Sequence, residues 1–346
     1  MCSGWRGTRA GLALLLAAGM AACDDNTQVS AAFNRIWGSS EAALVDGDAA
    51  TARFSNPVNV AVAADGTVYV ADFDNDALRA ISPTGLVSTV VKQANFSRPF
   101  GLTLSADGAT LYVQTDANDT GQRNGTTGTI WALNRATGGI AVVARNLGRP
   151  RGILALADGR IVMADLVRNV ISTLDPGTGT VVPVAGQDGV AGFANGHGTA
   201  ASFARPYGMA LMPDGSILVA DQTNNAIRQL TLAGDVTTFA GSGALGLQNG
   251  PVATATFNGP QDVAVSGGNV YVADTENHVI RLIAGGSVST EAGDGVAGFV
   301  DATGTAAEFF GLEGIALTAD GTVLWMADGN GGNGDPFNRV RRLMVP

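Results

Sequence analysis

Cysteine is almost absent from this 346-residue sequence, and both cysteines, Cys2 and Cys23, lie near its start. The rest of the chain therefore cannot form a disulfide bond, so its fold must be held by packing and by closure of its sheets. Histidine is equally scarce, with only His197 and His278 present. Their separation disfavours a histidine-based zinc centre, and no motif nominates a Ser-His-Asp triad.

Positive charge is also in short supply. The sequence has 20 Lys and Arg residues against 30 Asp and Glu residues, for a formal charge of −10. Residues 1–22 hold two arginines and no acids, so the chain without them has a charge of −12. Such a surface repels nucleic acid, because that binding depends on cationic contacts to phosphate. We therefore expect no nucleic-acid partner.

A convincing helical period is missing after residue 30, and what takes its place is a repeat. In Phe203–Gly241, four short strands are separated by turns such as Pro213-Asp214-Gly215,. Similar units begin at six positions: Phe54, Phe96, Leu147, Phe203, Phe257 and Phe309. Later copies recur at intervals of about 54 residues, a period typical of four-stranded propeller blades. The sequence thus predicts an all-β, six-bladed β-propeller of four-stranded blades over residues 31–346.

The repeat resembles the NHL family of β-propellers, including the NHL region of teneurins. The resemblance lies in an aromatic residue, a proline, an Asp-Gly turn, a strand ending in Val-Ala-Asp, an asparagine and an Ile-Arg pair, as in the copy that starts at Phe203. It covers nearly everything from Phe33 onward. It implies the propeller fold and leaves function open, because NHL propellers include sensors, scaffolds, RNA binders and a few enzymes.

The N-terminal residues are interpreted as an export signal rather than as part of the fold. Residues 1–22 combine a basic start with a short apolar run, as secretory signals do. Met20-Ala21-Ala22-Cys23 resembles a bacterial lipobox, which implies a lipidated Cys23, a tether over residues 23–30 and attachment to a membrane by lipid alone. Asp24 after the cysteine resembles an inner-membrane retention signal, so we expect the periplasmic side of the inner membrane where that rule applies. The alternative is an ordinary signal with an incidental cysteine.

The last repeat stops after its third strand, whereas residues 29–38 match a fourth strand. We therefore predict that this N-terminal segment completes the last blade and closes the ring, which removes an open sheet edge.

Features repeated in blade after blade are interpreted as structural, since a single functional site needs asymmetry. The aspartates that end the second strands are expected to cap backbone N–H groups: Asp72, Asp165, Asp221, Asp274 and Asp328. The third-strand arginines are expected to pair with acids: Arg79, Arg228, Arg281 and Arg341. The long links between blades each hold an apolar residue expected to lie between blades (Leu44, Phe193, Leu247, Phe299) and a polar residue expected to hold a turn (Asp46, Asn195, Asn249, Asp301),.

The asymmetric positions follow the proline that opens each blade, and both are predicted to lie at the mouth of the central channel. The first position holds Val58, Phe100, Arg151, Tyr207, Gln261 and Glu313, and the second holds Asn59, Gly101, Gly152, Gly208, Asp262 and Gly314. Four glycines at the second position indicate close backbone approach. Arg151, Tyr207 and Gln261 are candidate ligand-binding residues, Arg151 for an anionic group.

Asn59, Asp262 and Glu313 come from consecutive blades and are candidate ligands for a divalent cation such as Ca²⁺. In type, though not in a matched motif, they resemble the metal site of gluconolactonase-like enzymes. The alternative is that they bind channel water.

Two functions are consistent with these residues. The first is an exported, lipid-anchored and monomeric scaffold that binds an envelope protein or a small ligand. The second is a metal-dependent, lactonase-like hydrolase with its site at the channel mouth.

Overall fold

The computed structural model describes residues 33–332, 334 and 336–345, which form six antiparallel sheets. The predicted signal, Cys23, Asp24 and the tether lie outside these residues. Within them, no helix is both long enough and apolar enough to cross a membrane.

The first half of the chain forms β1 and three complete blades. The first strand is β1 (Phe33–Ser39). Blade 1 contains β2 (Pro57–Val62), β3 (Val68–Asp72), β4 (Ala77–Ile81) and β5 (Val87–Val91). Blade 2 contains β6 (Pro99–Leu104), β7 (Thr110–Thr115), β8 (Thr129–Asn134) and β9 (Ile140–Ala144). Blade 3 contains β10 (Gly152–Ala155), β11 (Ile161–Asp165), β12 (Val170–Leu174) and β13 (Val181–Ala185).

The second half adds blades 4 to 6. Blade 4 contains β14 (Gly196–His197), β15 (Pro206–Leu211), β16 (Ile217–Asp221), β17 (Ala226–Leu230) and β18 (Asp235–Ala240). Blade 5 contains β19 (Gly250–Pro251), β20 (Pro260–Ser266), β21 (Asn269–Asp274), β22 (Val279–Ala284) and β23 (Ser287–Ala292). Blade 6 contains β24 (Gly311–Leu317), β25 (Val323–Gly329), β26 (Asn338–Met344) and β1. Short 3₁₀ helices span Gly198–Ala200, Gln222–Asn224, Thr275–Asn277 and Gly304–Ala306.

The predicted closure of the ring is confirmed. Strand β1 pairs antiparallel with β26, and Trp37 lies opposite Val340. Only 1% of Trp37 is exposed, and the centre of its ring lies 4.8 Å from that of Trp325, with the two planes tilted by 33°. Its indole N–H also donates to the Gly85 carbonyl of blade 1 at 2.8 Å. One side chain therefore joins the last blade to the first.

The prediction that the repeated Asp and Arg residues are structural is confirmed, as blade 5 illustrates. The Asp274 carboxylate accepts the backbone N–H of Asn258 at 2.7 Å and a guanidinium N–H of Arg281 at 2.9 Å. Arg281 is fully buried, and it also donates to the backbone carbonyl of Thr256 and to the side chain of Asn249. Each pair thus fastens a second strand, a third strand and the preceding link.

The link residues depart from expectation. Within the described residues, Asp46, Asn195, Asn249 and Asp301 accept hydrogen bonds from the blade arginines, and none from the nearby backbone N–H groups that were expected. Leu44, Phe193 and Leu247 remain about 40% exposed,. They pack only partly because a link crosses the rim of the ring, where one side faces solvent.

Candidate functional site

The innermost strands share a distortion immediately after the blade-opening residue. Strand pairing shifts register there in β2, β6, β15, β20 and β24. Such a bulge turns the side chain of the extra residue away from its normal alternation. The first post-proline residue of each of these strands therefore stands apart from the sheet pairing, at the end where β2, β6, β15, β20 and β24 begin. We call that end of the ring, which also carries the inter-blade links, the link face, and the opposite end the hairpin face.

At the link face, large first-position side chains of three consecutive blades are in contact. The Phe100 ring of blade 2 meets the Tyr207 ring of blade 4 at 5.6 Å, although blade 3 lies between them. The Arg151 guanidinium of blade 3 lies 4.2 Å from the centre of the Phe100 ring and donates to the Tyr207 hydroxyl at 2.8 Å. We call the six first-position residues the axial plug: Val58, Phe100, Arg151, Tyr207, Gln261 and Glu313. Of these six, Phe100, Arg151 and Tyr207 are joined by direct contacts.

The plug rests on an ion-pair cluster that the sequence reasoning did not identify. Asp116 is 1% exposed and accepts N–H groups of Arg149 at 2.5 Å and Arg151 at 2.8 Å. Burial opposes ionisation of Asp116, but the two cations outweigh it and lower its pKa to about 2,. The sequence of blade 2 differs from the other blades next to Asp116. Thr115 replaces the repeated aspartate there, and its hydroxyl accepts a hydrogen bond from the Trp131 indole rather than from an arginine.

On the other side of the plug, a cavity of about 540 Å³ runs between the innermost strands toward the hairpin face. It is lined by residues of all six blades, from Asn59 and Asp262 near the plug to Ser266 and Thr318 at the hairpin turns. These strands are the inner edges of their sheets, so the backbone N–H and C=O groups on the side without a neighbouring strand face the cavity,. The cavity is therefore polar along its walls.

The two exceptional second-position residues face this cavity. Asp262 accepts the backbone N–H groups of Val263 and Ile315, each at 2.9 Å, and burial raises its pKa to about 7. Asn59 accepts the N–H of Val60 at 2.7 Å. The predicted need for glycine beside them is confirmed. A Cβ on Gly208 would lie 1.9 Å from an Asp262 oxygen, and one on Gly314 would lie 2.6 Å from the Asn59 Cα.

The three predicted metal ligands thus occupy two environments. Asn59 and Asp262 line the cavity, whereas Glu313 belongs to the plug, where Arg151, Asp116 and Glu276 act on its charge. Burial raises the pKa of Glu313 to about 7. Within residues 33–332, 334 and 336–345, no three or more His, Cys, Asp or Glu side chains form a group that could hold a metal ion. A divalent-cation site built with Asn59 as the third ligand stays a prediction.

Two polar side chains of the plug have no partner within the described part of the chain. The Gln261 residue is 7% exposed, and its buried carboxamide oxygen accepts no hydrogen bond. Glu313, in the next blade, likewise makes no side-chain hydrogen bond or ion pair there. Tyr207 accepts its bond from Arg151 and so retains its own hydroxyl proton for donation,. Because buried polar groups are nearly always paired, the Gln261 oxygen makes this end of the ring a candidate for ligand binding.

Charge is distributed unevenly around the plug. Arginines precede the blade-opening proline in blades 2, 3 and 4: Arg98, Arg149 and Arg205. Acids lie on blades 1, 5 and 6: Asp74, Glu276 and Glu313. Arg98 is paired with Asp74, but Arg205 bonds only the neutral Gln222 side chain, at 2.9 Å.

Comparison with known proteins agrees with the fold. The family described as the teneurin NHL domain matches residues 37–257, and the NHL repeat matches residues 257–281. Protein SUPPRESSOR OF QUENCHING 1 of Arabidopsis thaliana is 29% identical over 40% of this chain and 14% of its own length. Human NHL repeat-containing protein 2 is 33% identical over 32% of this chain and 17% of its own length. The chain thus spans less than a fifth of each relative.

A solved structure shares the architecture over most of the chain. An auxiliary nutrient binding protein from Bacteroides thetaiotaomicron superposes with a TM-score of 0.71 at 16% identity, over 91% of this chain and 76% of that one. At this identity the similarity is one of fold.

Proposed function

This chain belongs to the teneurin NHL domain family, and we propose that it is a binding scaffold that holds a small polar ligand on the axial plug. The observation that carries this proposal is the buried Gln261 carboxamide, whose oxygen has no partner in the described structure. Leaving such a group unsatisfied costs about 1–3 kcal/mol, which a ligand N–H or O–H would offset. Arg151, Tyr207 and Glu313, at the same position of blades 3, 4 and 6, offer further donors and a carboxylate.

The plug is suited to binding because it is held firmly. Arg151 is fixed by Asp116 and Tyr207, and Tyr207 is packed against Phe100. A site whose side chains are already ordered loses little conformational entropy when a ligand binds. The likeness to an auxiliary nutrient binding protein supports a ligand-binding role over a purely architectural one.

We further propose that the protein is exported and anchored through a lipidated Cys23. Strand β1 ends at Ser39, opposite Asn338 at the start of β26, and it begins at Phe33, opposite Leu343. The chain therefore enters the ring at the hairpin face. A lipid anchor N-terminal to β1 would leave the link face, with the plug, directed away from the membrane, toward an envelope protein or a free ligand.

The anchor is tested with a Cys23→Ser variant expressed in a bacterial host. We expect it to fold as the wild type does and to leave the membrane fraction, because acyl chains are then absent. Membrane fractionation and mass spectrometry of both proteins provide the measurement. A variant that stays with the membrane and keeps the wild-type mass shift would contradict the anchor.

Ligand binding is tested by a thermal-shift screen of amino acids, peptides, sugars, nucleosides and organic acids, followed by calorimetry. Gln261→Leu should lose binding of any ligand that raises the melting temperature of the wild type. Gln93→Leu, the same change at an exposed link position, is the control and should bind normally. Ligands that bind both variants equally would place the site elsewhere.

A further inference from the structure

The cavity on the hairpin side of the plug contains a single ionisable group. Among the described residues that line it, only Asp262 has a charged side chain, and the others are apolar, glycine, serine, threonine or asparagine. Asp262 is 8% exposed, and its two oxygens accept the backbone N–H groups of Val263 and Ile315. A carboxylate has about four lone-pair positions, so it can accept further hydrogen bonds. The cavity therefore offers a buried anionic acceptor and no cation to pair with it.

Asp262 is exceptional among the buried aspartates that the structure describes. Each of the others has at least one arginine acting on its charge: Asp72, Asp116, Asp165, Asp221, Asp274 and Asp328. The pKa of Asp262 is set by burial and by its two backbone hydrogen bonds, with no cation contributing. Burying a carboxylate is costly when no cation compensates its charge. A cationic ligand would supply that compensation.

Further carboxylates surround the opening of the cavity at the hairpin face. Five of the six turns between the first and second strands of a blade hold an aspartate: Asp65, Asp107, Asp158, Asp214 and Asp320. Two of these are paired with arginines, but Asp107, Asp214 and Asp320 are exposed and have no ionic partner in the described part of the chain. Ala319, directly before Asp320, lines the cavity. An acidic opening of this kind raises the local concentration of cations.

We propose that the cavity binds a linear aliphatic polyamine, with one terminal ammonium on Asp262 and the chain directed toward the hairpin face. An ammonium group has three N–H donors and needs only acceptors, which the carboxylate and the backbone carbonyls of the inner strands supply. Calcium would need about six to eight oxygen ligands, and Asp262 is the only carboxylate among the described lining residues,. This site lies on the opposite side of the plug from the ligand proposed above and does not depend on it.

The depth of the cavity sets the length of the ligand. Asp262 lies four residues before Ser266, the last residue of β20, and a strand rises about 3.4 Å per residue, so Asp262 is roughly 14 Å from the hairpin turn,. The nine bonds of extended spermidine span about 11 Å, at the roughly 3.5 Å per three bonds of an extended peptide chain. A hydrogen bond of about 3 Å to Asp262 supplies the remaining distance. The second terminal ammonium then reaches the level of the acidic turns.

The test is calorimetry of the full-length protein at pH 8 with spermidine, n-butylamine and 1-butanol. Spermidine should bind at least tenfold more tightly than n-butylamine, which reaches Asp262 but not the acidic turns, and the neutral 1-butanol should not bind detectably. Asp262→Asn should weaken both amines at least tenfold. Asp294→Asn, the same change at an exposed link residue, is the matched control and should leave both affinities unchanged.

A second set of variants leaves Asp262 untouched and changes exposed residues only. Asp107, Asp214 and Asp320 replaced together by asparagine should remove most of the advantage of spermidine over n-butylamine. Roughly 1 M salt, with a Debye length of about 3 Å, should have the same effect, because it screens exposed charges far more than the buried carboxylate. Ala319→Trp narrows the opening and should weaken both amines.

Three results would overturn the inference: no binding of either amine, equal binding of 1-butanol and n-butylamine, or equal losses in Asp294→Asn and Asp262→Asn. Ca²⁺ binding that Asp262→Asn removes, without any amine binding, would assign Asp262 to a metal instead. If Asp262→Asn does not fold, Ala319→Trp and the comparison with 1-butanol decide. None of these results bears on the axial plug, whose ligand is tested through Gln261→Leu.

Discussion

Ring closure through Trp37 gives a quantitative prediction. Trp37 is 1% exposed, so its truncation in Trp37→Ala leaves a cavity, and large aromatic truncations of this kind cost about 3–5 kcal/mol,. Loss of the indole hydrogen bond to Gly85 adds about 1 kcal/mol,. The entropy of unfolding is about 2.1 cal/mol/K per residue, so a domain of roughly 310 residues should lose about 6–9 °C in melting temperature.

Thermal unfolding followed by circular dichroism measures this shift. Leu245→Ala is the control, because Leu245 is 70% exposed and its truncation should cost less than about 0.5 kcal/mol,. A loss of under 2 °C in Trp37→Ala would refute the view that β1 holds the ring shut.

Deletion of residues 1–39 tests the same closure more severely. It exposes the edge of β26, so we expect a lower melting temperature and association through that edge, seen by light scattering. A synthetic peptide of residues 29–41, added in trans, should restore both properties. A deletion protein that stays monomeric and melts at the wild-type temperature would show that the ring closes without β1.

Three further predictions concern buried charge. Arg281→Ala leaves Asp274 buried without its cation and should cost about 3–5 kcal/mol in urea unfolding, whereas Arg160→Ala, which breaks an exposed pair, should cost less than about 1 kcal/mol,; equal costs would contradict the structural role of the repeated pairs. Burial raises the pKa of Glu313 to about 7 from 4.5, so the folded state binds more protons and stability should fall as the pH rises from about 4.5 to about 7,. Glu313→Gln should make this loss of stability smaller by at most about 3 kcal/mol, and by less than that because Glu313 is partly exposed. The measurement is the difference in melting temperature between pH 5 and pH 8. The same difference in the variant and the wild type would refute the prediction. If Asn59, Asp262 and Glu313 bind a divalent cation, calorimetry should show saturable binding of Ca²⁺, Mg²⁺, Mn²⁺ or Zn²⁺ to the wild type and none to Asp262→Ala; no binding by the wild type, or equal binding by both, removes the metal site.

Much of the fold could be predicted from the sequence because the determinants of a blade are local. Alternating apolar residues, Asp-Gly turns and a recurring aromatic residue specify four strands within each repeat. Closure by the N-terminal strand was also predictable, since a missing fourth strand at one end of the chain matched an unpaired one at the other. The repeated Asp and Arg residues revealed their structural role by their repetition.

Part of the candidate site was predictable because it breaks the repeat. The differences between blades at the first post-proline position point to Arg151, Tyr207 and Gln261 from the sequence alone. Asp116 was not identified, because it follows Thr115 in the most divergent repeat and its importance depends on arginines of the next blade.

What the tertiary structure alone decided is where the side chains near the axis lie. Gln261 and Asp262 are adjacent in the sequence, yet Asp262 faces the cavity and Gln261 belongs to the plug. A register shift after the blade-opening residue causes this separation, and no sequence period reports it. The sequence determined which residues break the symmetry of the ring. Convergence of six strands on one axis determined which of those residues meet, because contacts across the axis join repeats that are far apart in the chain.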